Sequence, residues 1–339
     1  MGAALGPEGL INMASKLESG ALVVVFGGSG FVGRHAVRAL ARRGYRVRAA
    51  SRRPDLAGYL QPMGTVGQIH AVQANLRYPQ SVVRAVEGAD AVVNLVGILA
   101  KSGRQTFDAI QVEGARTIAT AARAAGAQHL VHLSAIGASP RSAGLYGRTK
   151  AAGAAAVLEQ FPDAVILCPS IIFGPEDEFF NRFAAMARMA PCLPLIGGGR
   201  TRFQPVYVGD VAVAIAAAVD GLAKPGTTYE LGGPEVATFR KLLDRTQDWA
   251  GRERWYLHLP FWLAKLGAGL TAPLPTALRP LTVDQVRMLQ TDTVVSEAAL
   301  AEGRTLAGLG IADPHAMDSI VPPYLEQYRP KGQYSHYRG

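Results

Sequence analysis

Residues 22 to 33 read Leu-Val-Val-Val-Phe-Gly-Gly-Ser-Gly-Phe-Val-Gly, an apolar, β-branched run that stops at a glycine cluster and then turns helical. A strand that must become a helix within so few residues, through Gly27, Gly28, Gly30 and Gly33, is how a dinucleotide-binding βαβ unit opens. The physical demand is that backbone N–H groups and a helix N-terminus come up against a doubly charged pyrophosphate. A Cβ at Gly27, Gly28 or Gly30 would stand in the way, and Gly33 lets the helix lie close on the sheet. Ser29, Phe31 and Val32 complete the turn, and Val32, Ala36, Val37 and Leu40 give the following helix an apolar face that ends at Gly44. The whole 27–33 segment is therefore expected to cradle the phosphates.

Further strand patterns follow near 45–51, 68–73, 90–97, 128–134, 163–169 and 227–231, separated by Ala-rich amphipathic stretches such as 109–125 and 143–159. That alternation predicts an α/β fold, a doubly wound parallel Rossmann-type sheet with a smaller C-terminal lobe on the substrate side. Residues 20–173 form the expected dinucleotide-binding domain, with 204–233 returning to it. Residues 174–203, which carry Pro175, Pro191, Pro194 and the Gly197-Gly198-Gly199 loop, break the rhythm and join 234–330 in the lobe. Met13-Ala-Ser-Lys16 reads as a more natural start than Met1, so 1–12 and the polar 331–339 are expected to be flexible tails.

A hydrophobic content of 49% over 339 residues is that of an ordinary globular protein with a large core. Two cysteines, Cys168 and Cys192, exclude a disulfide framework, and the histidines lack metal-ligand spacing, so no metal is expected. His129 and His132, three apart on a strand pattern, point to opposite faces. The first 20 residues have neither a basic start nor an unbroken apolar core, which argues against a secretory signal and for a reducing, cytoplasmic setting. The net charge of +9, carried by 28 Arg against 7 Lys, suits an anionic ligand, an acidic partner or an anionic membrane face. No basic run is interleaved with aromatics, so nucleic acid is not an expected partner.

Sites that prefer a ribose 2′-hydroxyl place Asp or Glu at the end of the second strand. Here that position holds Ser51-Arg52-Arg53. A guanidinium there pairs with a 2′-phosphate, so NADP(H) is the preferred dinucleotide and NAD(H) the alternative. Asn75-Leu76, ending the third strand, sits where an adenine-contacting Asp often lies. Tyr146-Gly-Arg-Thr-Lys150, on the helix after the fifth strand, is the only Tyr-x-x-x-Lys of the chain. Its spacing puts both side chains on one helix face, twelve residues beyond Ser134. In that geometry Lys150 binds the nicotinamide ribose and lowers the phenol pKa of Tyr146, the proton donor or acceptor, while Ser134 holds the substrate oxygen.

With these residues in place, the chain resembles the extended or atypical short-chain dehydrogenase/reductase superfamily over nearly all of residues 20–330. The resemblance is carried by 27–33, Ser134, Tyr146 with Lys150, Pro169-Ser-Ile-Ile-Phe-Gly-Pro175 and Pro205-Val-Tyr-Val-Gly-Asp210. Within it, Asn94-Leu-Val-Gly-Ile98, Tyr229-Glu-Leu-Gly-Gly-Pro-Glu235 and Leu281-Thr-Val-Asp-Gln-Val286 are most similar to the nucleotide-binding accessory subunit of respiratory complex I and its bacterial relatives. The resemblance adds Val96, Gly97, Pro169 and Ile172 to the residues around the cofactor. It also implies that NADPH is held structurally, that complex I subunits or a membrane surface are the partners, and that the protein is peripheral at the cytoplasmic face of the inner membrane. Two positions depart from active members: Ala135 replaces a second Ser, and Gln111 replaces a helix Asn that anchors a relay water. One reading is therefore a cofactor-holding accessory or assembly protein of complex I, or a quinone-linked factor. The other is an NADP-dependent oxidoreductase or epimerase/dehydratase acting on a sugar-nucleotide, isoprenoid or quinone-precursor carbonyl.

Residues 261–272, apolar apart from Lys265, are too short to span a bilayer of about 30 Å. They are a core helix, a lid over the cleft, or an exposed face of Phe261, Trp262, Leu266 and Leu270 that docks on a membrane surface or membrane-bound partner.

Overall fold

The computed structural model describes residues 17–101, 103, 105–270 and 282–330, and both expected tails lie outside the described residues. Six strands come first: β1 (Leu22–Phe26), β2 (Arg46–Ser51), β3 (Ile69–Gln73), β4 (Ala91–Asn94), β5 (His129–Leu133) and β6 (Val165–Pro169). Between them run α1 (Phe31–Arg42), α2 (Pro79–Val86), α3 (Gly114–Ala124) and α4 (Leu145–Gln160). The chain then leaves the sheet as β7 (Ile172–Phe173), α5 (Phe180–Met189), β8 (Cys192–Ile196), β9 (Arg202–Phe203) and β10 (Val206–Tyr207). It returns with α6 (Val208–Val219) and β11 (Thr228–Leu231). The remainder is β12 (Ala237–Thr238), α7 (Phe239–Trp249), β13 (Trp255–Leu259), α8 (Phe261–Leu270), α9 (Val283–Met288), α10 (Glu297–Ala301) and α11 (Met317–Leu325).

The main sheet has the order β11-β6-β5-β4-β1-β2-β3, and every pairing in it is parallel. Its β-branched strands are apolar on both sides because both sides are covered. Val23 and Val25 pack with Val37, Leu40, Val211 and Ile215 on one face, while Val24 and Phe26 pack with Val82, Ile118 and Ile166 on the other. Strand order reverses between β1 and β4, which puts a crevice beyond their carboxyl ends.

Outside the sheet an aromatic core of Phe173, Phe180, Phe183, Phe203 and Phe239 joins α5, α7 and α11. Three two-stranded pairs, β7 with β10, β9 with β12 and β8 with β13, frame it. Leu306 and Leu309, far along the chain, pack back into the core between the sheet, α1 and α6.

Candidate dinucleotide cleft

A cleft of about 720 Å³ opens at the reversal point. Gly27, at φ +79°, takes the left-handed conformation that ends β1, and a Cβ on Gly33 would run into the Gly27 carbonyl, so the helix can approach only as glycine. Ser29, Gly30, Phe31 and Val32 also line the cleft. Gly28 does not: a Cβ there would meet Ala49 Cβ at 2.9 Å, so its smallness serves packing on β2 and not the approach of a ligand.

At the end of β2 the two arginines part company. Arg52 lines the cleft with Ser51, whose buried Oγ has no hydrogen-bond partner. Arg53 does not line the cleft in this structure, and its exposed guanidinium pairs with Asp55 at 2.9 Å. Asn75 and Leu76 line the cleft after β3, with Asn75 Oδ1 accepting from Arg77 N at 3.2 Å. Arg34, which does not itself line the cleft, lies 5.0 Å from the Tyr59 ring centroid and pairs with Glu176, which does.

Val96, Gly97, Ser134, Ala135, Tyr146, Lys150, Pro169 and Ile172 line the other end. Lys150 Nζ donates to Leu133 O at 2.9 Å, and a Cβ on Gly97 would come within 3.2 Å of that ammonium, so Gly97 makes room for it. Burial pushes the Lys150 ammonium down to about 8 and the Tyr146 phenol up to about 12. The phenol thus moves opposite to the direction expected from Lys150, because loss of solvation dominates and the neighbouring Cys168 adds to it. Cys168, also missed from the sequence, lies beside Ser134, and burial pushes its thiol up to about 11.

Beneath this wall is a buried polar layer. Asn94 and His132, paired across β4 and β5, place Nδ2 and Nδ1 3.0 Å apart, and His132 Nε2 has no partner. Burial and the Lys150 charge push His132 down to about 3, so it is neutral. Gln111 sits in a π-helical turn, Asp108–Glu113, that precedes α3. Its amide is taken at both ends: Nε2 donates to Ile98 O at 2.9 Å and Oε1 accepts from Thr149 Oγ1 at 2.7 Å.

Of the two longer segments in the resemblance, only 169–175 reaches the cleft. Asp210 instead accepts from His315 N and faces its Nδ1 at 2.8 and 2.7 Å, fastening the chain before α11. The far wall, which sequence reading did not assign, includes Phe179, Arg182, Arg287 and Met288. Only the quoted 281–286 segment signalled that α9 belongs here.

A Gly-turned cradle, an unpartnered Ser51 Oγ beside Arg52, and the buried Lys150 ammonium set against Gly97 in the cleft wall together fit a nicotinamide dinucleotide. Comparison with known proteins agrees: residues 23–232 match the model of the NAD dependent epimerase/dehydratase family, to which this chain belongs. Among curated relatives it is similar to the mitochondrial NADH dehydrogenase [ubiquinone] 1 alpha subcomplex subunit 9 of Arabidopsis thaliana, 35% identical over 93% of this chain and 79% of that protein. The subunit of the same name from Rattus norvegicus is 37% identical over 64% of this chain and 58% of its own length. Among solved structures, UDP-glucuronic acid 4-epimerase from Bacillus cereus, in complex with UDP-glucuronic acid and NAD, superposes with a TM-score of 0.64 at 17% identity, covering 90% of this chain and 99% of that one.

Proposed function

We propose that the protein is an NADP(H)-holding accessory or assembly subunit of the complex I type, in which the dinucleotide is mainly a structural ligand. The observation that carries this reading is a fully furnished cofactor cleft above a Gln111 amide already consumed by Ile98 and Thr149. Gly27, Gly30 and the N-terminus of α1 would hold the pyrophosphate, Ser51 and Arg52 a 2′-phosphate, Asn75 and Leu76 the adenine, and Lys150 the nicotinamide ribose. NADP(H), when bound, supplies a hydride donor or acceptor at its nicotinamide. Tyr146 stays protonated and is placed as a proton donor, and Ser134 is placed to hold a carbonyl oxygen. The second reading, a working oxidoreductase or epimerase/dehydratase on a carbonyl substrate, is favoured by Ser134, Tyr146 and Lys150 all lining one cleft. Denaturing the purified protein and weighing what it releases separates the two. Stoichiometric NADP(H), with negligible NADPH oxidation over a panel of carbonyls, supports the accessory reading. Ordinary turnover that Tyr146→Phe abolishes supports the enzyme.

The same reading places the protein at the inner membrane's cytoplasmic face, docked through α8. Ala264 and Ala268 turn inward to Val286, while Trp262, Leu266 and Leu270 are 68, 54 and 73% exposed. Phe261 is not part of this face as expected: it packs so closely on Gly197 that no Cβ fits there. Trp255 and Leu257, on the strand leading into α8, are exposed as well. Among the described residues no helix is long and apolar enough to cross a membrane. An exposed Trp and Leu face with Lys265 and a net charge of +9 suits an anionic lipid surface. Native protein is expected to pellet with membranes, and Trp262→Glu with Leu266→Glu to release it without loss of nucleotide affinity. A wholly soluble native protein contradicts the docking.

A further inference from the structure

The helix that carries Tyr146 and Lys150 begins without a capping side chain of its own. Its N-cap is Gly144, and the amides of Leu145 and Tyr146, in its first turn, have no acceptor within the helix. Both are taken by a residue 139 and 138 positions further along: Asp284 Oδ1 accepts from Leu145 N at 2.6 Å, and Oδ2 from Tyr146 N at 2.9 Å. A carboxylate bridging two amides at the positive end of a helix is a charge-assisted cap. Gly144 leaves room for it, since a Cβ would come within 3.3 Å of Asp284 Oδ1. Asp284 is itself fixed. Thr282 Oγ1 accepts from Gln285 N at 3.2 Å and Gln285 Oε1 accepts from Thr282 N at 2.9 Å, a capping box that sets the first turn of α9. Farther along α9, Val286 is buried against α8 while Arg287 and Met288 line the cleft.

We propose that Asp284 is a positioning residue for Tyr146: its carboxylate sets the first turn of α4 and so ties the α8 and α9 pair to the nicotinamide half of the cleft. The rest of α4 does not depend on this cap, because Gly153 lies against the Gln111 backbone and Ala156 and Val157 are buried. Losing the cap therefore frays the turn that bears Tyr146 and spares the remainder. The inference rests on the cleft being a dinucleotide site, and its test separates failure of one from failure of the other.

The test uses the full chain with Asp284→Ala and Asp284→Glu, hydrogen exchange resolved to single amides, and calorimetry with NADPH and with adenosine 2′,5′-bisphosphate, which fills only the adenosine half. Asp284→Ala is expected to speed exchange at Leu145 and Tyr146 but not at Val157 and Leu158. It is also expected to weaken NADPH by about tenfold while leaving the bisphosphate unchanged. Asp284→Glu should restore part of both. Unaltered exchange at the two amides, faster exchange with unchanged NADPH affinity, or equal losses for NADPH and the bisphosphate would each overturn the proposal. If the native protein binds neither nucleotide, the dinucleotide reading fails, and the positioning role fails with it.

Discussion

At the end beside the glycine turn the cleft is lined mainly by one short stretch, residues 26–33, with Ser51 and Arg52 from the neighbouring strand, whereas the end beside Lys150 is assembled from β5, α4, the 169–172 segment and α9. The first end owes its shape to backbone that glycines permit and no side chain can replace. The second owes it to side chains gathered over long sequence separations, each held by another: Lys150 by Leu133 O, Tyr146 through Asp284, Gln111 between Ile98 and Thr149.

The harshest way to break this contrast is Gly33→Val, which forces a side chain into the Gly27 carbonyl. It is expected to abolish nucleotide binding and to cost about 3 kcal/mol of stability in urea unfolding, since backbone cannot yield as a side chain does. Lys150→Ala should leave the fold intact and weaken NADPH by about ten- to a hundredfold, the worth of a charged hydrogen bond. Because the ammonium is pushed down to about 8, the native protein holds the charged form below that pH and loses it above. Calorimetry should show native affinity falling as pH rises through 8, and Lys150→Ala should flatten that dependence. Smaller still is Arg52→Ala, expected to remove about tenfold of NADPH affinity and little of NADH. Arg53→Ala, its guanidinium already engaged by Asp55, should change neither.

The same contrast explains what the sequence made legible. Strand patterns near 45–51, 68–73, 163–169 and 227–231 correspond to β2, β3, β6 and β11 to within about two residues: β6, buried throughout, writes a continuous apolar run, while β2, β3 and β11 interleave apolar with polar residues. The helical pattern 109–125 is legible as helix but not as the π-helical turn that begins it, since a bulge of one residue leaves the apolar periodicity almost unchanged. Cleft residues that belong to a local motif were readable. No local pattern shows that Arg53 pairs with Asp55, two residues on. Asp284 stood in a quoted segment without a role, because its partners are two backbone amides, and amides carry no sequence signal.

We propose that the dinucleotide is a structural ligand of a cleft that discriminates at Ser51 and Arg52. The most direct test is thermal unfolding at matched concentrations of NADPH and NADH, in native protein and in Tyr146→Phe. A ligand bound only by the folded state raises stability with its concentration over its dissociation constant, by about 2.7 kcal/mol at a hundredfold excess over that constant. The expected result is a rise in Tm that is clearly larger with NADPH than with NADH and undiminished in Tyr146→Phe. Equal shifts with the two nucleotides, no shift with either, or a shift that disappears in Tyr146→Phe would contradict it.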